Sequence, residues 1–297
     1  MTRVTEAIAE ARTVVLTGAT SGIGLATARL LAPRIERLLV HGPEPAGAVA
    51  PLLANLRGRA RSGATVEYFH ADYTQLASVA QLARQLGDAS DHIDVVVNNA
   101  GIPGSPARKV TTDANEMTLQ VNYLAPVALT SLMLDGRSAK DHMRVVNVAS
   151  ATHLTATLDL DDLDLTDGYT AVAAYAREKL ALVTYSCGLA RALPESGVEV
   201  VSLHPGVIAT GLLHAMFGGG GDRTERAAET IVEVVGRSRD SGTYYDTTRP
   251  AAPNPVARDP AVQQRLIERT TEKLAAAGIS TSGAARPTGN RSDPRRR

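Results

Sequence analysis

Thr13-Val14-Val15-Leu16-Thr17-Gly18-Ala19-Thr20-Ser21-Gly22-Ile23-Gly24 decides how the chain is read. Residues 13–16 form an apolar, β-branched run suited to a buried strand, and Leu25-Ala26-Thr27-Ala28-Arg29-Leu30-Leu31 continues as a helix. The three glycines therefore fall in the tight turn between the two. Without Cβ atoms at 18, 22 and 24, backbone N–H groups and the positive end of the helix can come close to an anion. The turn is then a phosphate cradle of the kind that holds a dinucleotide pyrophosphate. Its spacing is G-x-x-x-G-x-G, not G-x-G-x-x-G, and three glycines alone also suit an ordinary turn.

Beyond the turn, strand and helix patterns alternate. Arg37-Leu38-Leu39-Val40 reads as a second strand, ended by His41-Gly42-Pro43 because proline cannot donate to a ladder. A helix over about 46–61, a strand over 65–70, a helix over 74–87 and the run Ile93-Asp94-Val95-Val96-Val97-Asn98 follow. Then come a helix over about 112–134, a strand at 143–148, a helix over 169–193 and a strand at 198–203. Such alternation predicts an α/β fold, a doubly wound parallel sheet of about seven strands in one domain over 1–278. A lead-in helix is expected over 1–12, a mobile lid over 207–222 ending in Gly218 to Gly221, a helix over 223–236, a short strand at 242–245 and a last helix over 261–276. Pro250, Pro253, Pro255 and Pro260 should hold the chain extended before it, and the Ser, Gly, Pro and Arg tail over 279–297 should be disordered.

The chain has 297 residues and 31 basic against 31 acidic side chains, so no general field draws it to nucleic acid or an anionic membrane. Its single cysteine, Cys187, excludes an internal disulfide and is expected in the core. With no signal-peptide pattern and no uninterrupted apolar run of membrane-spanning length, a cytoplasmic location is expected.

Several residues recur at strand ends, where such a sheet places its ligand. Asn98-Asn99-Ala100-Gly101 closes the fourth strand, Ser150 follows the fifth, and Tyr175 and Lys179 lie four apart on one helical face. His204-Pro205-Gly206 and Thr210 follow the sixth strand, and Asn122 lies within a helix. Together, over roughly residues 10–275, these motifs resemble the short-chain dehydrogenase/reductase family. Asn147-Val148-Ala149-Ser150-Ala151-Thr152-His153 and Gly242-Thr243-Tyr244-Tyr245-Asp246 are most similar to its retinol dehydrogenase and antibiotic-pathway ketoreductase branch.

The resemblance implies NAD(P)-dependent hydride transfer between nicotinamide and an alcohol or ketone. It implies catalytic roles for Asn122, Ser150, Tyr175 and Lys179, and cofactor contacts at Gly18, Thr20, Ser21, Gly22, Ile23, Gly24, Gly42, Asp72, Tyr73, Asn99, Ala100, Gly101, Tyr175, Lys179, Pro205, Gly206, Val207 and Thr210. A phenol's ordinary pKa of about 10 keeps its proton at neutral pH but exchanges it poorly, and a cation one helical turn away favours the phenolate. By resemblance Ser150 donates to the substrate oxygen, Asn122 holds a helix carbonyl and water leading to Lys179, and Asp72 bonds the adenine amino group. The alternative role of Asp72 is a helix N-cap.

Two positions depart from the family pattern. Glu178 stands where serine is usual before the lysine; it would raise the proton affinity of Tyr175 or face solvent, and solvent is the expectation. At the end of the second strand neither the Asp of NAD-preferring members (Gly42 here) nor the Arg of NADP-preferring ones (Pro43) is present. With no carboxylate there to repel a 2′-phosphate, NADP(H) is expected over NAD(H). His153 and His204 lack further ligands at metal spacing, so no metal is expected. Substrate contacts are expected from 151–174 and from Leu212, Leu213, Met216 and Phe217, which suits an apolar ketone or alcohol. A redox-neutral enzyme on the same scaffold (epimerase, dehydratase or cyclase) and a non-catalytic dinucleotide-binding protein remain alternatives. A small-molecule substrate is the expected partner, without nucleic acid or membrane, and the resemblance admits a homo-oligomer.

Overall fold

The computed structural model describes residues 11–137, 141–194 and 196–281. Most of the expected lead-in helix and nearly all of the basic tail lie outside these residues. The strands are β1 (Thr13–Leu16), β2 (Arg37–Gly42), β3 (Thr65–His70), β4 (Val95–Asn98), β5 (Met143–Val148), β6 (Val198–His204), β7 (Tyr244–Asp246) and β8 (Arg249–Ala251). They form one sheet in the order β3-β2-β1-β4-β5-β6-β7-β8, parallel throughout except for the β7–β8 pair. The order reverses between β1 and β4, and the crevice above that point is where a doubly wound sheet receives its ligand.

β8 is a strand more than the sequence reading expected. It pairs Tyr244 with Ala251 and Tyr245 with Pro250. Proline is tolerated there because β8 is an edge strand, where the missing N–H faces no partner.

Helices α1 (Gly22–Leu31), α2 (Ala50–Arg59), α3 (Leu76–Ala89), α4 (Met117–Asp135), α5 (Ala171–Ala192), α6 (Gly211–Phe217), α7 (Thr224–Val235) and α8 (Pro260–Ala276) cover the sheet. Val14 and Leu16 point into a core shared with Ala28 and Leu31 of α1 and Ile231 of α7; Val15 points the other way, toward Leu82 of α3, Leu129 of α4 and Leu182 of α5. Burial on both faces is why the inner strands read as continuous apolar runs. α4 is long and apolar enough to cross a membrane, but most of it is buried within the fold. Its interior opens into a π turn at Gln120–Leu124, the position of Asn122. α2 starts later than its sequence pattern, after Pro43, Pro45 and Gly47, and α6 forms within the expected lid.

Candidate active site

The glycine turn is held from three sides. Gly18 has φ +63°, and a Cβ on it would lie 2.7 Å from the Cα of Ala100; one on Gly24 would lie 1.9 Å from the Gly18 carbonyl oxygen. Asn99 Nδ2 donates to the carbonyls of Thr17 (3.0 Å) and Gly18 (3.2 Å). Thr17 Oγ1 accepts from the backbone N–H groups of Asn99 and Ala100, each at 3.0 Å. The Asn-Asn-Ala-Gly segment therefore clamps the cradle. The Ala19 N–H is taken by the His41 carbonyl (2.9 Å), whereas further along the turn Ser21 caps α1 without a side-chain bond, and Ser21 and Gly22 are exposed. These residues fit a dinucleotide pyrophosphate, because side chains at 18 or 24 would collapse the cradle and side chains at neither position fill it.

His41 was missed by the sequence reading. Burial lowers its pKa to about 4, so the ring is neutral. Its Nε2–H donates to the Ala71 carbonyl (3.1 Å) and its Nδ1 accepts the Gly18 N–H (3.3 Å). Tyr73 stacks on this ring at 4.5 Å and its side chain is buried. Asp72 accepts from the Thr74 N–H (2.8 Å) and hydroxyl (2.7 Å) in the turn before α3, whose N-cap is Gln75 and not Asp72.

Gly42 differs from its reading. A Cβ there would lie 2.4 Å from Thr20 Cγ2 and 2.8 Å from Glu44 Oε2. Glu44 folds back from beyond Pro43; Thr20 Oγ1 donates to its Oε1 (3.2 Å), while its Oε2 is buried without a partner. The space beside Gly42 is bordered by a carboxylate, which removes the premise on which NADP(H) was expected.

A cavity of about 380 Å³ opens at the carboxyl ends of the strands. Of the expected site residues it brings together Ile23, Asn99, Gly101, Ser150, Tyr175, Lys179, Pro205, Gly206, Val207 and Thr210, with Leu212 and Leu213 from α6. Gly18, Thr20, Ser21, Gly22, Gly24, Gly42, Asp72, Tyr73 and Ala100 lie outside its wall, and Asn122 lies behind it. Thr210 Oγ1 caps α6 by accepting from Leu213 N–H (3.2 Å), and its methyl lies beside Gly22, so α6 begins over the cradle. Val207 and Ala209 bond to Asp222, closing the base of the lid segment. Met216 does not line the cavity, and the Phe217 side chain is outside the described set.

Within the cavity Lys179 Nζ sits 5.5 Å from the Tyr175 ring centre and donates to the Val148 carbonyl (3.3 Å). Burial raises the Tyr175 pKa, and the Glu178 carboxylate adds to the rise, while the Ser150 hydroxyl opposes it. Ser150 Oγ accepts from the Thr152 N–H (3.3 Å), which fixes it at the start of a 3₁₀ turn. Asn122 accepts from Ile102 N–H (2.7 Å) and donates to the Ile102 carbonyl (2.8 Å), tying α4 to the loop after Gly101.

Glu178 corrects a second expectation. It is 1 % exposed, not solvent-facing, and accepts a hydrogen bond from Asn122 Nδ2. Three residues on from Tyr175, it shares the tyrosine's helical face. Cys187 is only half-buried, against the Gly242 carbonyl, and not a core residue. Among the described residues no cluster of His, Cys, Asp and Glu has metal-binding geometry. His153 Nδ1–H donates to the Ser150 carbonyl (2.7 Å), whereas His204 Nδ1 and Thr152 Oγ1 are buried without partners on residues that line the cavity.

Residues 12–218 match the model of the short chain dehydrogenase family. Human retinol dehydrogenase 13 is 34 % identical over 276 residues, covering 86 % of this chain and 82 % of its own length. Mouse polyprenol dehydrogenase is 33 % identical, covering 92 % and 87 %. Among solved structures, a Mycobacterium paratuberculosis protein described as uncharacterised superposes with a TM-score of 0.72 at 26 % identity, over 92 % of this chain and 96 % of that one. A Burkholderia cenocepacia short chain dehydrogenase in complex with NADP shares the fold, with a TM-score of 0.63 at 23 % identity over 79 % and 95 %. The chain therefore belongs to the short-chain dehydrogenase family and is an NAD(P)-dependent oxidoreductase.

Proposed function

We propose that the chain is a dehydrogenase/reductase for an apolar alcohol and its carbonyl form, with NAD(H) as the preferred cofactor. The observation that carries this reading is the single cavity in which Ser150, Tyr175 and Lys179 meet Ile208, Leu212 and Leu213. The names of its relatives, dehydrogenases of retinol and of polyprenol, agree with an apolar alcohol.

When bound, the nicotinamide supplies or accepts the hydride. The chain's own residues handle the proton. In the reducing direction the carbonyl carbon gains a hydride and its oxygen becomes an alkoxide, to which Tyr175 gives its phenolic proton; oxidation runs the same transfer backward. Ser150 donates a hydrogen bond to that oxygen, and the ammonium of Lys179 stabilises the phenolate left behind. Asn122 holds the loop at Ile102 against α4, and the apolar lid residues exclude water from the reacting atoms.

Support for NAD(H) comes from Glu44. A carboxylate bonded to Thr20 and lying beside Gly42 puts a negative charge at the end of β2, which repels a 2′-phosphate there. The reading is tested by following reduced-nicotinamide absorbance with a panel of apolar alcohols and ketones. Turnover with NAD(H) supports it; product without cofactor turnover indicates a redox-neutral enzyme, and cofactor binding without any product indicates a binding protein.

A further inference from the structure

A buried carboxylate one residue before the lysine needs an account of its own, because an acid with no partner is costly to bury. Glu178 is 1 % exposed, and its two oxygens are treated differently. Oε1 takes the Asn122 amide, while Oε2 is buried with no hydrogen-bond partner. Asn122 is itself fixed to both backbone groups of Ile102, and a Cβ on neighbouring Gly101 would lie 3.3 Å from Asn122 Oδ1 and 3.7 Å from Lys179 Nζ. The carboxylate, the π turn of α4, the Asn-Asn-Ala-Gly loop and the lysine are thus packed as one unit.

We propose that Glu178 is a positioning residue that holds Asn122 in place and, as the counter-charge to Lys179, weakens the lysine's hold on the Tyr175 phenolate. This rests on the reading of Tyr175 as the proton-transfer group. The ionisable groups facing Glu178 are Lys179 and Tyr175 on its own helix, Glu116 at the start of α4 and Tyr169 before α5. Glu116 is committed elsewhere, accepting from Leu119 N–H (2.7 Å) and the Thr118 hydroxyl (3.0 Å). Lys179 is therefore the one cation among these neighbours. Burial lifts the Glu178 carboxyl well above the usual range, and Lys179 and the Asn122 N–H pull it back. When ionised, the acid places a negative charge on the face of α5 that also carries Tyr175. Its negative charge near the ring then opposes formation of a second one, the sign opposite to that of Lys179.

Glu178→Gln separates charge from shape, since the amide keeps the volume and the acceptor for Asn122. Glu178→Met keeps the volume and removes both. For alcohol oxidation, activity rises as Tyr175 loses its proton. Removing the carboxylate should therefore move that limb of kcat/KM to lower pH, by about one unit for a like charge at this range. The same shift should appear without turnover, in the tyrosinate absorbance that is lost on Tyr175→Phe, measured in the Gln and wild-type backgrounds. Glu178→Met should show the shift together with a lower kcat, from the loosened Asn122. A Gln or Met variant that folds, by thermal melting, and titrates like the wild type in both measurements overturns the proposal. A wild type with no titration that depends on Tyr175 overturns the reading beneath it.

Discussion

Replacement of Glu44 by Gln probes the cofactor through a charge that a search for strand-end Asp or Arg overlooks. Two like charges 4 Å apart repel by about 1 kcal/mol in bulk water and about 4 kcal/mol at the effective dielectric of a protein surface. Glu44 is half-buried with one oxygen shielded, so its repulsion of a 2′-phosphate falls between these limits. That corresponds to a discrimination between about 5-fold and about 10³-fold in affinity. Wild-type protein should bind NADH at least about fivefold more tightly than NADPH, and Glu44→Gln should narrow the ratio by a comparable factor while keeping an acceptor for Thr20. Calorimetric titration of both cofactors into both proteins measures this without substrate. Gly42→Asp is a poor substitute, because its Cβ would lie 2.4 Å from Thr20 Cγ2. Tighter NADPH binding by the wild type, or an unchanged ratio in Glu44→Gln, would refute the reasoning.

Gly24→Ala should weaken dinucleotide binding by more than about tenfold and lower the melting temperature, because its methyl would meet the Gly18 carbonyl oxygen at 1.9 Å and push the cradle apart. Lys179→Ala should lower both turnover and cofactor affinity, and move the titration of Tyr175 upward as the phenol loses its cation. It should also destabilise the fold, and adding Glu178→Gln should recover part of that loss, measurable as a coupling in a double-mutant cycle. Arg144→Ala, at the far end of β5, should lower stability by removing the buried cation that Glu199 and Asp240 share while leaving cofactor affinity unchanged, as chemical unfolding and titration would report.

How far the site could be read from the sequence depended on whether each residue's partner was local. Tyr175 and Lys179 four apart on a helix, and a glycine turn between an apolar strand and a helix, carry their geometry in their spacing. Ser150 and Asn99 follow because strands of a doubly wound sheet deliver their carboxyl ends to one crevice. Glu178 was misread by treating a charge on a helix as solvated, although its place three residues after Tyr175 already put it on the inward face. Glu44 carried no such signal: it lies two residues past its strand, beyond a proline, and only the folded loop brings it to Thr20. His41 and Tyr73 likewise meet across neighbouring strand ends, and β8 was hidden by prolines that only an edge strand tolerates.

Tyr175→Phe bears most directly on the account. The substitution keeps the ring and its buried packing but removes the phenolic oxygen proposed to pass a proton to the substrate. Folding and cofactor affinity should match the wild type. Turnover in an absorbance assay with reduced cofactor and an apolar ketone should fall by about 10⁴-fold, the upper end of what a positioned general acid contributes. A Tyr175→Phe protein that binds cofactor and retains most of its reductase rate would contradict the assignment of Tyr175 as the proton donor.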